Sequence, residues 1–473
     1  MDPDQIVDVV IIGGGPAGEN VAERVVRGGL SAAVVEAELL GGECSYWACV
    51  PSKAMLRPID LVAAARRSPG AAQAVSGQVD VDAVLARRDE ATGNRDDGGQ
   101  VQWIDDLPAA LVRGHGRIVA PRTVEVASNG SRRTLHARHA VVVATGSRAT
   151  MPPISGLPHI RPWTSRDATS LDHVPKRLAV IGGGVVACEM SHAVRGLGAE
   201  VTMLVRGSRL LERMEPFAGE LVAAGLEAAG VDVRTGTNVV ETSRSGRDGP
   251  VNLTLSDRSA LEADELLVAA GRTLNTDDIG VDIIGMDPGK PIPVDDSLRV
   301  KGVEDGWLYA VGDATGRNLL THMGKYQGRV CGDAIVARAR GGADDGPALR
   351  ATSDAAGAPQ VVFTDPEACS VGLTESVARR RGLDVRAVEY DIGSVTGAYL
   401  LGENYQGRAK AVVDESRRVL LGATFVGSGV AELLHSATVA VIGEVPLDRL
   451  WHAVPAFPTV SEVWLRLLET YGL

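Results

Sequence analysis

No run of eighteen apolar residues occurs in the 473-residue chain, and the segment after Met1 passes into a strand-like apolar run within a few residues. A membrane span needs about twenty such residues, and a secretory leader needs a longer apolar stretch behind a basic start. Neither is expected, and the cytoplasm is the expected compartment. Positive charge is also in deficit. Against 60 Asp and Glu there are 48 Lys and Arg, and the net charge of −12 argues against nucleic acid or an anionic membrane as the main partner. Cysteine is scarce too, with five in all. Cys188, Cys331 and Cys369 stand singly, and without a second Cys or His pair at ligand spacing no metal site is expected. Apolar residues are not lacking: at 45% they suffice for several cores, and the length predicts about three domains.

The other two cysteines lie close together in Gly41-Gly-Glu-Cys44-Ser-Tyr-Trp-Ala-Cys49-Val-Pro-Ser-Lys53. Five residues advance a helix by about 1.4 turns, so the sulfurs of Cys44 and Cys49 can meet if the first turn is distorted. A redox pair is the reading that follows. In a reducing compartment such a disulfide is catalytic rather than structural. Two unrelated buried thiols are the alternative, and the surrounding Gly41, Gly42, Pro51 and Lys53 count against it.

Upstream, the apolar run Val9–Ile12 is followed at once by Gly13-Gly-Gly15-Pro-Ala-Gly18. Gly13 allows a tight turn, Gly15 lets the backbone approach a pyrophosphate and Gly18 lets a helix pack on the strand, while the helix N-terminus stabilises the phosphate charge. The next strand, Ala32–Glu36, ends in an acid suited to ribose hydroxyls. A second turn of this kind, Gly182-Gly-Gly184-Val-Val-Ala187, follows Leu178–Ile181. Here the following strand, Ala199–Val205, ends in Arg206 instead of an acid. An arginine pairs with a 2′-phosphate that a carboxylate would repel, so the second nucleotide is expected to be NADPH; a solvated strand-end arginine is the other reading.

On these motifs the chain resembles the pyridine nucleotide-disulphide oxidoreductases, the family of glutathione reductase, dihydrolipoamide dehydrogenase and mercuric reductase, over nearly its whole length. Ala144-Thr145-Gly146-Ser147 and Ala269-Ala-Gly271-Arg-Thr-Leu-Asn275 resemble the crossings between the two nucleotide domains. Tyr309-Ala-Val-Gly-Asp313 resembles the second flavin motif, and Val362–Pro366 through Thr374 the start of a dimerisation domain. The resemblance implies an α/β fold with two Rossmann-like dinucleotide domains and a C-terminal α+β dimerisation domain. It places an FAD domain over 1–150 and 272–345, an NAD(P)H domain over 151–271 and the interface domain over 350–473, after the link Gly341–Gly346.

The same resemblance implies FAD and NADPH as cofactors, a homodimer, and a small-molecule acceptor. It assigns FAD to Gly13, Gly15, Gly18, Glu36, Lys53, Gly116, Thr145, Gly146, Ser147, Asp313 and Thr321, and the coenzyme to Gly182, Gly184, Ala187, Arg206 and Gly271. Cys49 would be the thiolate nearest the flavin and Cys44 the thiol that attacks the acceptor, with Lys53 paired to Glu189 beside the flavin.

One departure bears on function. Family disulfide reductases end in His-Pro-x-x-x-Glu, whose histidine protonates the leaving thiol and whose glutamate orients it. This chain reads Pro455-Ala-Phe457-Pro-Thr-Val-Ser-Glu462. Glu462 and Pro458 match, but Phe457 carries no proton. Losing a general acid costs roughly two to four orders of magnitude in rate, which makes a bulky disulfide a poor substrate. His452 and His435 are the nearest histidines, and neither is at the expected position. Leu467–Leu473 also lacks the C-terminal cysteine pair of mercuric reductases. Two functions stand: an NADPH-dependent reductase of a disulfide or similar acceptor through Cys44–Cys49, and an NADPH:acceptor oxidoreductase reducing quinones or metal ions with no histidine acid.

Overall fold

The computed structural model of the chain describes residues 4–247, 249–343 and 346–473. Asp344 and Asp345 of the expected link, and Asp248 of the polar segment Ser243–Gly249, lie outside these residues. The chain divides into two compact units. One comprises Met1–Val50, Asp89–Arg148 and Arg272–Asp354; the other comprises Pro51–Arg88, Ala149–Gly271 and Ala355–Leu473.

In the first unit the strand Asp4–Ile12 (β1) lies between Ala32–Glu36 (β2) and Ser131–Val143 (β6), parallel to both. Ala110–Arg113 (β3) extends the parallel side. His115–Ala120 (β4) and Thr123–Ser128 (β5) form an antiparallel edge, and Leu308–Ala310 pairs parallel with β6 to complete seven strands. Val9–Ile12 are at most 3% exposed, as a β-rich run covered on both faces requires.

The helix Pro16–Arg27 (α1) begins after β1 with proline at its first position and ends with Arg24 and Arg27, which complement the helix dipole. Against it lies Thr321–Ala339, close enough that a Cβ on Gly328 would meet Ala17 O at 2.5 Å. Arg24 ties the two helices by paired 2.7 Å bonds to Asp333.

The second unit holds another parallel sheet. Its order is Asp232–Thr235, Glu200–Val205, Arg177–Ile181, Glu265–Val268. The Gly184-capped helix Val185–Gly196 joins two of these strands. The antiparallel strands Val239–Arg244, Val251–Leu255 and Ala260–Ala263 follow. The C-terminal region is a five-stranded antiparallel sheet with helices Val430–Ile442 and Val463–Tyr471 over its own core. Two dinucleotide folds and an α+β domain are therefore present, as the sequence implies.

Residues Pro51–Arg88 group with the second unit rather than with the first nucleotide fold. The reason is packing. Met55, Leu56 and Ile59 of the helix Cys49–Arg66 share a core with Val185–Gly196, where a Cβ on Gly196 would lie 2.6 Å from Ile59 Cδ1. Arg88 adds buried bonds to the carbonyls of Thr169 and Leu171 at 3.0 and 2.8 Å.

Candidate active site

The first unit builds a nucleotide turn in which glycine is required at two points. Gly13 has φ +106°, and a Cβ there would meet Ala144 O at 2.4 Å; one on Gly18 would meet Gly13 O at 2.0 Å. Above Gly15 the space is open, the nearest atom to a built Cβ being Gly42 Cα at 3.8 Å. Glu36 closes the turn. Its Oε2 accepts from Gly14 N at 2.7 Å and its Oε1 from Glu38 N at 2.7 Å, while burial pushes its pKa up. Each carboxylate oxygen keeps a lone pair for a ribose hydroxyl. Gly116 lies in β4 with Val35 Cγ1 3.0 Å from where its Cβ would be.

Ser147 is the hub of the crossing. Its Oγ donates to Asp313 Oδ2 at 2.5 Å and accepts from Arg272 Nε at 2.6 Å, and Arg272 also grips its carbonyl at 2.5 Å. Burial raises the Asp313 pKa, with the Ser147 bond opposing. Asn275 holds the backbone of Thr145 and Gly146, both bonds 3.0 Å long. Thr145 Oγ1 is left buried without a hydrogen-bond partner. An orphaned hydroxyl, an open glycine turn and a pinned Asp313 fit a bound nucleotide that supplies the missing partners.

Cys44 lies in the short helix Gly42–Tyr46 (α2), and Cys49 opens the 18-residue helix Cys49–Arg66 (α3). The break at Trp47–Ala48 is the distortion that the spacing requires. Neither sulfur is joined in a disulfide in this structure. Cys49 Sγ lies 3.4 Å from Thr321 Oγ1, at the start of Thr321–Ala339. The hydrogen bond to Cys49 chiefly, and then burial, hold the Cys44 thiol protonated far above the ordinary range. Cys49 opens α3, and a helix N-terminus is a place that favours an anionic sulfur.

In the second unit Lys53 Nζ meets Glu189 Oε2 at 2.5 Å. Glu189 is buried, and its other oxygen accepts from Phe363 N at 3.1 Å; the Phe363 ring lies 4.9 Å from Lys53 Nζ. The glycine turn of this unit repeats the first. Gly182 has φ +132°, its Cβ would meet Ala269 O at 2.3 Å, and nothing approaches within 4 Å of a Cβ on Gly184. Ala187 is buried against the turn, and Arg206 is exposed just beyond Glu200–Val205. Gly271, at φ +127°, accepts from Thr150 N at 3.0 Å.

At the C-terminal end Glu462 Oε1 accepts from Arg466 Nη2 at 2.6 Å, and its Oε2 is buried without a partner. Phe457 is 72% exposed, and His452 and His435 are exposed on separate elements. Sequence reading passed over Arg272, Phe363 and Arg466. Only Arg466, four residues from Glu462, left a local signal, the spacing of a helical ion pair.

The chain belongs to a family of flavin-dependent redox enzymes. Residues 7–337 match the pyridine nucleotide-disulphide oxidoreductase family and residues 358–467 its dimerisation domain. A mercuric reductase of Shigella flexneri is 32% identical over 96% of this chain and 78% of that protein. A dihydrolipoyl dehydrogenase of Chlamydia muridarum is 29% identical over 98% and 96%. Among solved structures, LpdA from Mycobacterium tuberculosis aligns with TM-score 0.84 and 24% identity over 99% of this chain and 100% of that one. The Cu(II) complex of the flavoprotein disulfide reductase RclA from Escherichia coli aligns with TM-score 0.84 and 23% identity over 98% and 99%. The protein is accordingly an NAD(P)H- and FAD-dependent oxidoreductase of this family. Among the described residues, no helix is long and apolar enough to cross a membrane.

Proposed function

We propose that the protein draws electrons from NADPH, passes them through FAD to the Cys44–Cys49 pair, and delivers them to a small disulfide or a thiol-bound metal ion. The observation that carries this reading is the thiol pair itself: Cys44 stays protonated against Cys49, which faces Thr321 at a helix N-terminus. FAD, when bound, supplies two-electron chemistry between a nicotinamide and a disulfide. The residues that would hold it are Gly13, Gly15, Gly18, Glu36, Gly116, Thr145, Gly146, Ser147, Asp313 and Thr321. Gly182, Gly184, Ala187, Arg206 and Gly271 would hold the coenzyme.

The chain's own groups then divide the work. Cys49 keeps the low-energy thiolate and Cys44 makes the bond to the acceptor. Lys53 is held in place by its ion pair with Glu189. A homodimer is the working unit in this reading, supported by the matched dimerisation domain and by the exposed apolar residues Tyr399, Val454 and Phe457.

Phe457 favours a second reading in which no leaving thiol needs a proton. Quinones and metal ions meet that condition, and mercuric reductases are among the relatives. The test is steady-state NADPH oxidation with small disulfides, quinones and metal ions, in wild type and Cys44→Ser. Turnover lost with one acceptor class alone identifies the class served by the dithiol. Turnover kept with every acceptor would reject the dithiol reading.

A further inference from the structure

The segment that follows Glu200–Val205 is bound to the coenzyme turn by its own backbone. Gly207 O accepts from Gly236 N at 2.8 Å, and Leu211 N donates to Gly183 O at 2.9 Å. The second bond joins residues 206–212 to the middle glycine of the turn, so their side chains border the place where the adenosine half of a coenzyme is held.

Two opposite charges stand in this short loop. Arg206 is exposed and takes part in no ion pair among the described residues. Glu212, also exposed, folds its carboxylate back over Gly207: a Cβ built on Gly207 would meet Glu212 Oε1 at 1.9 Å and Cδ at 2.8 Å. The carboxylate thus fills the volume that a side chain next to Arg206 would take. Arg209 donates from Nη2 to Glu212 O at 3.2 Å, which fixes the backbone at this point, and its Nε is buried without a partner.

We propose that Glu212 is a second determinant of coenzyme choice, placed to accept from the 2′-hydroxyl of NADH and to oppose the 2′-phosphate that Arg206 attracts in NADPH. The inference rests on the coenzyme site read above. A carboxylate is a natural acceptor for ribose hydroxyls. A phosphate monoester near neutrality carries between one and two negative charges, and a carboxylate beside it is a repulsive element. With Arg206 alone the loop would discriminate sharply. With both residues present it serves either coenzyme, and the margin for NADPH is narrowed.

The experiment compares kcat/KM for NADPH and NADH in wild type, Glu212→Gln, Glu212→Arg and Arg206→Glu. In parallel, calorimetry measures binding of adenosine 2′,5′-bisphosphate and of AMP, which reads the site without turnover. Removing the carboxylate is expected to raise the NADPH:NADH ratio about tenfold, the scale of one unit charge at contact distance in a solvated site. The change should come through KM, with tighter 2′,5′-bisphosphate and weaker AMP, and Glu212→Arg should go further. Unchanged ratios and unchanged binding in both Glu212 variants, with melting temperatures held, would overturn the proposal. The two readings fail separately. A wild type that favours NADH, with Glu212→Gln still shifting the ratio, removes the NADPH preference and keeps Glu212. An effect of Arg206→Glu with none at Glu212 does the reverse.

Discussion

The two nucleotide turns share one plan and differ in how they are closed. In the first unit Gly18 allows no side chain, since a Cβ would lie 2.0 Å from Gly13 O; in the second, Ala187 sits at the same place with its methyl buried. The turn in the second unit is wider by at least a methyl group. The strand ends differ as well. Glu36 is bonded into its own turn through Gly14 N, whereas Arg206 is not, and the backbone of Leu211 ties the second turn instead. A ligand-facing side chain that is also structural suits a cofactor bound once. A turn tied by backbone leaves its side chains to a coenzyme that comes and goes.

The sharpest way to break this comparison is Gly18→Ala. The methyl cannot enter without moving Gly13, and the variant is expected to lose several kcal/mol and most of its flavin, read by the visible absorbance of purified protein and by melting. Retained flavin at wild-type level would show that the first turn is no tighter than the second.

Next in size is Phe457→His. Restoring a proton donor is expected to raise small-disulfide turnover by about tenfold to a hundredfold, while leaving quinone turnover within about twofold, because only a disulfide expels a thiolate. Equal gains on both acceptors would favour the direct-acceptor reading.

A smaller effect separates the two turns by pH. Burial, with Glu36 adding and Lys325 opposing, lifts the Glu19 carboxyl from 4.5 to about 7 in the folded chain. The folded state binds this proton more tightly than the unfolded state, so the contribution is complete below about pH 4.5 and is lost as pH rises through 7. Glu19→Gln should remove about 2 kcal/mol of that decline in a series of melts from pH 4.5 to 8. Parallel curves for variant and wild type would contradict it. Smallest of all, Ala187→Gly should cost about 1 kcal/mol from helix propensity, measured by melting. An unchanged melting temperature would mean that the methyl adds nothing to this turn.

Both turns were legible because their signal is local: glycines within six residues, flanked by an apolar strand and a helix. The break between Cys44 and Cys49 was foreshadowed by a spacing that a regular helix does not satisfy. The Ser147–Arg272–Asp313 cluster was not legible as a cluster, since its members stand 125 and 166 residues apart and only the folded crossing joins them. Nor did any pattern show that Pro51–Arg88 would pack with the second unit. That depends on Gly196 leaving room for Ile59, a fit between surfaces rather than a period in the sequence. Glu212 escaped for a related reason. Its place over Gly207 is set by a loop conformation that charge counting along the chain does not see.

The carboxylate of Glu189 also constrains biosynthesis. One of its oxygens waits on Phe363 N, 174 residues further along the chain. At ribosomal rates of roughly 5–20 residues per second, that stretch takes on the order of ten to thirty-five seconds to emerge. During this interval the nascent second unit carries an acid that its finished fold buries with only Lys53 to answer it. The unit therefore reaches its final state after translation has passed the start of the C-terminal sheet, and a nascent chain halted before Phe363 should be a marked target for chaperones and proteases.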